Sequence, residues 1–486
     1  MVALNTALGD IAVTTSANQT QLTWMVDSYT LVLACLLLPA GAIGDRYGRR
    51  GALLFGLAVF AAASLVPALS TDPTHIIIAR AVAGLGAAFI MPATLSLISE
   101  SYPPEQRTKA VGIWAGVAGA GGVAGMLGSG VLLNFWSWQS IFWAFAVSAV
   151  AIFVMACTIS GSRDDRAQPL DLAGAIIIAT AVAALVYGIL RAPDLGWTHP
   201  LVLGSLIAGV VLMALFGVVE LRRRHPLLDV RLFAVPEFGT GAAAITVLFM
   251  VMFGFFFLAM QFMQLVMGYS ALGTALALSP LAVPMMILSP LSGWYLPRVG
   301  LRAVIFAGLL MLAVGLLSLR LVHLDSPYLA LAWPLLVVSS GVGIFTAPTT
   351  AAIMTSTPED KQGVASAVND TTREVGAALG IALTGSLLSA GYAKSIAPSL
   401  HQFPAPMRDA AAGSLARAIA ATARLGPSGK PLVTTARLAF LHAMQTTVLT
   451  MAVITCIAAV GIALWAPGRN GGQLLASRRD RKAVSQ

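Results

Sequence analysis

Charged residues are sparse in this chain, so the few that interrupt apolar runs are the first places to look for chemistry. Asp27 and Arg80 stand inside two such runs, where an ionisable side chain is costly and usually marks an ion or substrate path. Counted from Leu22 and Thr74, both lie roughly 8–9 Å along their helices at 1.5 Å per residue, so they could meet. A carboxylate held between desolvation, which favours its neutral form, and a guanidinium, which favours its charged form, can exchange a proton for a cation. A static ion pair would use the same two residues. Asp370, Arg373 and Glu374 share one helix face at i, i+3 and i, i+4 spacing, and either pair locally or take part in coupling. A third feature is the charged turn Gly44-Asp45-Arg46-Tyr47-Gly48-Arg49-Arg50, wedged between two apolar runs. Its arginines serve topology, but Asp45 adds nothing to a positive loop. It is expected to sit at a helix N-terminus or accept charge-assisted bonds, where the macrodipole favours a negative charge by about 0.3–1 kcal/mol. A contact of that kind, made in one conformation and lost in another, would set the balance between inward- and outward-open states.

Other motifs carry less. The glycine-rich stretch 112–130 follows no strand and has no Gly-Lys-Ser/Thr ending, so Gly121, Gly125 and Gly130 are expected to serve close helix packing rather than a nucleotide. Cys35, Cys157 and Cys456 sit in apolar runs without metal-ligand or disulfide spacing, and no metal site is expected. Phe253, Phe255, Phe256, Phe257, Met260, Phe262, Met263 and Met267 face lipid or line an adaptable apolar cavity; helical spacing does not distinguish the two. No catalytic constellation competes, and the chain is not expected to be an enzyme.

The elements that position these residues follow from composition. Hydrophobic residues make up 58% of the chain and charged ones 10%, against about 25% charged in soluble domains. Such a chain cannot cover a soluble surface, and the bilayer must be its solvent. The net charge of +9 does not indicate nucleic acid, because the basic residues lie in loops without stacking aromatics. Apolar runs cover Leu22 to Gly44, Gly51 to Ser70, Thr74 to Ser99, Lys109 to Leu133, Gln139 to Ser160, Leu172 to Leu190 and Pro200 to Leu221. After a basic hinge they continue as Phe238 to Val266, Ala271 to Leu296, Ala303 to Leu321, Tyr328 to Met354, Gly363 to Ala390 and Leu438 to Trp465. With a short apolar start at Met1 to Val13, these make about fourteen transmembrane helices. That first run is too short to cross, and it reads as the outer part of a first helix whose beginning is missing. The turn reappears as Arg298-Val299-Gly300-Leu301-Arg302, and Gly84-Leu85-Gly86 with Pro92 has a counterpart in Gly341-Val342-Gly343 with Pro348. The chain is therefore read as duplicated: an N-terminal bundle over 1–160, two inserted helices and a hinge over 161–237, a C-terminal bundle over 238–465 with an external loop 391–437, and a basic tail 466–486.

Lys and Arg fall in alternate short loops, among them Arg107, Lys109, Arg163, Arg166, Arg222 to Arg224, Arg231 and Lys361, and in the tail at Arg478, Arg479, Arg481 and Lys482. By the positive-inside rule those loops and the C-terminus are cytoplasmic. Within the external loop, Met407 to Leu425 is either an amphipathic surface helix or a plain tether.

Taken together, these residues resemble the major facilitator superfamily, specifically its fourteen-helix drug:proton antiporter branch, over the whole chain. The turn Gly44 to Arg50 is similar to the loop motif between that family's second and third helices. Arg80 to Gly86 is similar to its fourth-helix motif, with Ala83 where Gln is common, and Gly121 to Met126 to its antiporter motif, with Met126 in place of Pro. Val2 to Ile11 is similar to the first-helix motif, whose usual Asp would fall just before Met1. Trp24, Asp27, Tyr29, Trp136, Trp138, Arg373 and Gly376 also match the branch. The resemblance implies an all-helical fold of two six-helix bundles with two inserted helices. It also implies a proton-coupled exporter of lipophilic or cationic drugs in a bacterial plasma membrane, driven by the proton gradient without a cofactor, surrounded by lipid and monomeric. Asp27, Arg80, Asp370, Arg373 and Glu374 are the candidate coupling and substrate residues. Transport of a specific metabolite or peptide, or a sensor that has lost transport, are the other readings of the same fold.

Overall fold

The computed structural model describes residues 4, 7–15, 17–159, 170–403, 408, 411–412, 414–422 and 430–468. Arg163, Arg166 and the basic tail with Arg478, Arg479, Arg481 and Lys482 lie outside the described residues, as do parts of the first run and of 407–425. Among the described residues the chain is helical, without strands. The helices of the first half are α1 (Leu8–Thr15), α2 (Gln19–Tyr47), α3 (Arg49–Leu69), α4 (Pro73–Ser101), α5 (Pro104–Phe135) and α6 (Gln139–Ala156). An inserted pair follows, α7 (Leu172–Leu195) and α8 (Pro200–Arg222). The second half has α9 (Pro236–Gln261), α10 (Ala271–Leu278), α11 (Ala282–Leu288), α12 (Ser292–Val299), α13 (Leu301–Ser318), α14 (Tyr328–Thr355), α15 (Gln362–Ile396), α16 (Leu415–Thr422) and α17 (Lys430–Trp465). Among the described residues, twelve helices are long and apolar enough to cross a membrane, or 13 if one bent pair counts as a span.

Helix starts are set by local chemistry. Asn18 and Gln21 cap α2 reciprocally, and Asp171 accepts from Gly174 N at the head of α7. Asp72 accepts from the His75 and Thr74 backbone N–H groups, with Pro73 opening α4; those two bonds hold its exposed carboxyl below the usual carboxylate range.

The duplication is visible in backbone geometry. Gly48, between α2 and α3, has φ 111°, and Gly300, between α12 and α13, has φ 85°, a region that strains any residue with a Cβ. A Cβ on Gly56 would lie 2.6 Å from Gly86 O, and one on Gly341 would lie 2.8 Å from Gly308 O, so α3 crosses α4 as α13 crosses α14. This shifts the repeat by two residues from the register suggested by the Gly-x-Gly spacing. Gly341 corresponds to Gly86, while Gly84 faces α2, where a Cβ would lie 2.5 Å from Tyr29 O.

Three expectations are corrected or decided. The run Ala271 to Leu296 is not one straight helix: Leu272–Leu288 and Ser292–Val299 meet at 64°. Pro290 lies in the break, where its missing N–H and ring prevent a continuous ladder. The glycine stretch in α5 packs through only one of the three expected glycines, Gly130, together with Gly112. Gly112 approaches Ser289 O and Gly130 approaches Leu272, whereas a Cβ on Gly121 or Gly125 would meet nothing within 4 Å. At 3.6 residues per turn Gly130 returns to the face of Gly112, while Gly121 falls on the opposite, exposed face. The aromatic and methionine set of α9 and the turn after it packs against the core, with Phe255, Phe262 and Met263 fully buried and the rest partly so.

The inserted helix α7 touches both halves. Tyr187 stacks on Trp24 of α2, Ile189 packs with Ala378 and Ala382 of α15, and Trp197 Nε1 donates to Ser386 Oγ at 3.0 Å. Beyond α15, α16 falls within the stretch expected to be amphipathic. Its Leu415 and Ala418 are buried, and Tyr392 donates to Ala411 O at 2.9 Å, so this segment packs onto the bundle.

Candidate functional site

Two clusters lie where the halves meet. The first is built on α15, whose face carries Asn369, Asp370, Arg373 and Glu374. Asp370 is fully buried. Its Oδ1 accepts from Asn369 Nδ2 at 3.2 Å and Arg373 Nη1 at 3.3 Å, and Asn369 Oδ1 in turn accepts from Thr350 Oγ1 of α14 at 3.0 Å. The other carboxylate oxygen, Oδ2, is buried and accepts no hydrogen bond from the protein. The guanidinium of Arg373 lies 4.6 Å from the ring centroid of Phe249 and 5.3 Å from that of Trp114. Phe249 belongs to α9 in the second half and Trp114 to α5 in the first, so one cation stacks on a ring from each half. Local pairing at i, i+3 does form, but it does not exhaust the carboxylate.

Across the interface, Arg80 of α4 is buried. Its Nε donates to Met25 O at 3.1 Å, its guanidinium lies 4.3 Å from the Tyr29 ring, and its Nη2 has no hydrogen-bond partner. After Arg80, the charge acting on Tyr29 is Glu374 of α15. Asp27 and Arg80 are therefore not partners, as matched depth suggested. The charges acting on Asp27 are Arg191 and then Asp194, both on α7. Depth is one coordinate and helical phase the other: two residues along α2 separate Asp27 from Tyr29, which places them on different faces.

The second cluster is at the loop end. Asp45 Oδ1 accepts from Gly363 N at 2.8 Å and Oδ2 from Val364 N at 3.0 Å, so a first-half carboxylate caps the first turn of α15. Arg49 Nε donates to Asp45 Oδ1 at 2.9 Å, and Arg49 Nη1 pairs with Glu100 at 2.5 Å. Arg50 Nη2 donates to Cys157 O at 2.5 Å. Gly41 and Gly363 let the helices approach: a Cβ on Gly363 would lie 2.6 Å from both Asp45 Oδ1 and Gly41 O. Gly44 and Gly48 frame the turn, and Arg46 stacks on Tyr47 at 5.3 Å.

Spacing alone did not place Trp114, Phe249, Tyr187 or Arg191. Trp114 carried a signal, being the one large aromatic within the glycine stretch 112–130. Arg191 stands at a helix end, where a basic residue in a membrane chain gives no sign of a partner inside the bundle.

A duplicated bundle of membrane-length helices, with buried ionisable groups at the interface of its halves, defines the class as a polytopic secondary transporter. Residues 1–381 match the profile of the Major Facilitator Superfamily, and the chain belongs to that family. It is 34% identical over 401 residues to the multidrug resistance protein Stp of Mycobacterium tuberculosis (strain CDC 1551 / Oshkosh), covering 82% of this chain and 74% of that protein. It is 30% identical over 472 residues to the methyl viologen resistance protein SmvA of Salmonella typhimurium (strain 14028s / SGSC 2262), covering 94% and 93%. The crystal structure of the human organic anion transporter MFSD10 (TETRAN) superposes with a TM-score of 0.59 at 14% identity, covering 93% of this chain and 88% of that one, and shares the fold.

Proposed function

We propose that this chain exports lipophilic, often cationic, small molecules across a bacterial plasma membrane in exchange for protons, by alternating access and as a monomer. Relatives named for multidrug and methyl viologen resistance support export, and methyl viologen is an organic dication. The observation that carries proton coupling is Asp370, a fully buried carboxylate with one oxygen bonded to Arg373 and the other without a donor. A proton or a water is the natural occupant of that second oxygen. Any rocking of the halves that slides Trp114 away from Arg373 changes the charge balance around Asp370. Protonation and conformation are thereby linked. Glu374, beside Asp370 on α15, and Asp27, facing the inserted helix α7, are further carboxylates. With the loops carrying Arg46, Arg49, Arg50 and Lys361 on the cytoplasmic side, the C-terminus is cytoplasmic, and the Asp45 cap holds the cytoplasmic end closed.

The test is Asp370→Asn in proteoliposomes. Uphill accumulation of methyl viologen driven by an imposed pH gradient should vanish, while counterflow without a gradient persists. Undiminished uphill transport would move the coupling group to Asp27 or Glu374.

A further inference from the structure

Two helical turns face each other at the end of the bundle opposite the 44–50 loop. Trp24 and Asp27 are one turn apart on α2, and Tyr187 and Arg191 one turn apart on α7. The Trp24 and Tyr187 rings stack with centroids 6.2 Å apart and an interplanar angle of 29°. The Arg191 guanidinium lies 4.8 Å from the Trp24 centroid and 5.8 Å from that of Tyr187. Its side chain is only 16% exposed, its ion pair with the exposed Asp194 is long at 3.9 Å, and it is the leading charge acting on Asp27. Two π faces beside a carboxylate are the composition that receives an organic cation. Here the chain supplies the cation itself.

We propose that Arg191 is a tethered competitor for organic cations at the Trp24–Tyr187–Asp27 site, and so a specificity-determining residue for export. This rests on the export reading above. A guanidinium is planar and stacks on aromatic faces, so it occupies the two rings as a bound organic cation would. A tethered group acts at an effective concentration of about millimolar or more, which a free cation must overcome. At the outer end of an exporter this disfavours rebinding of a released cation, while an uncharged compound held only by apolar walls is indifferent to it. The inserted hairpin thereby reaches into the substrate path, and its first helix is more than a linker.

The experiment compares the purified full chain with Arg191→Gln, measuring equilibrium binding of tetraphenylphosphonium, a lipophilic cation, and of N-phenyl-1-naphthylamine, an uncharged lipophile. Arg191→Gln should bind the cation on the order of tenfold more tightly and the uncharged probe unchanged. Adding Asp27→Asn should remove the gain. Equal cation affinity in both proteins, or an equal change for both probes as a packing role would give, overturns the proposal. If Arg191→Gln does not fold, Arg191→Lys keeps the charge and gives up the planar stack. It should tighten cation binding by about threefold, and a folded Arg191→Lys protein with wild-type affinity also overturns the proposal. A wild type that shows no counterflow of either probe speaks against export itself, whereas the binding comparison bears on Arg191 alone.

Discussion

The turn between α2 and α3 and the turn between α12 and α13 share a glycine at positive φ and flanking arginines, yet they hold different things together. In the first, Asp45 reaches across to the other half and caps Gly363 and Val364. In the second there is no acidic residue, and Arg302 Nε donates to Ala466 O at 2.9 Å at the end of α17, within its own half. The exposed Arg298 stacks on Trp294 beside it, with its centroid 4.6 Å away. One side chain makes the difference. A carboxylate can satisfy orphan N–H groups at a helix start, whereas a guanidinium can only satisfy carbonyls at a helix end. The first turn is thus a contact that must break when the halves move, and the second travels with its own half.

Asp45→Asn tests that contrast most severely. It removes a charge-assisted double cap and weakens the Arg49 pair, a loss of about 2–3 kcal/mol, on the order of 30- to 150-fold in the balance between conformations. Counterflow rate in proteoliposomes should fall accordingly, with ligand affinity nearly unchanged. An unaltered rate would reduce the loop to topology. Gly363→Ala keeps every charge but forces a Cβ into the approach to Gly41 and Asp45. Overpacking of this kind costs about 1–3 kcal/mol, and a rate loss of about tenfold is expected, with crosslinking between positions 41 and 363 reduced. Arg302→Ala should do least. It loses the bond to Ala466, worth about 1 kcal/mol, so the melting temperature drops by about 2 °C while transport stays within about twofold. A transport defect as large as that of Asp45→Asn would show that both turns govern the conformational change.

Much of the architecture was legible because the bilayer imposes one length scale. Apolar runs of about 20 residues between Gly, Pro and Arg punctuation mark the helices, and the bend at Pro290 and the Gly86/Gly341 contact both come from residues visible in the sequence. The loop motif was legible as well: Asp45 among arginines pointed to a helix N-terminus, and Gly363 and Val364 supply one. The partners of the membrane-buried charges were not. Depth can be counted along a run, but the face a residue presents depends on how that helix is rotated against neighbours far away in the chain. Asp27 and Arg80 share a depth and diverge in phase.

The residue string by itself therefore determined the solvent, the helices, the duplication and the short list of ionisable groups that could matter, since each follows from hydrophobicity, spacing and charge along one dimension. Only the tertiary structure decided which groups meet. Arg80 took Tyr29, Arg373 took a ring from each half, Asp45 took the start of α15, and Asp27 came under the influence of Arg191 on an inserted helix. Those pairings are properties of helix packing in three dimensions. Helices that the sequence separates by scores to hundreds of residues press together where small residues such as Gly41 and Gly363 let their backbones touch.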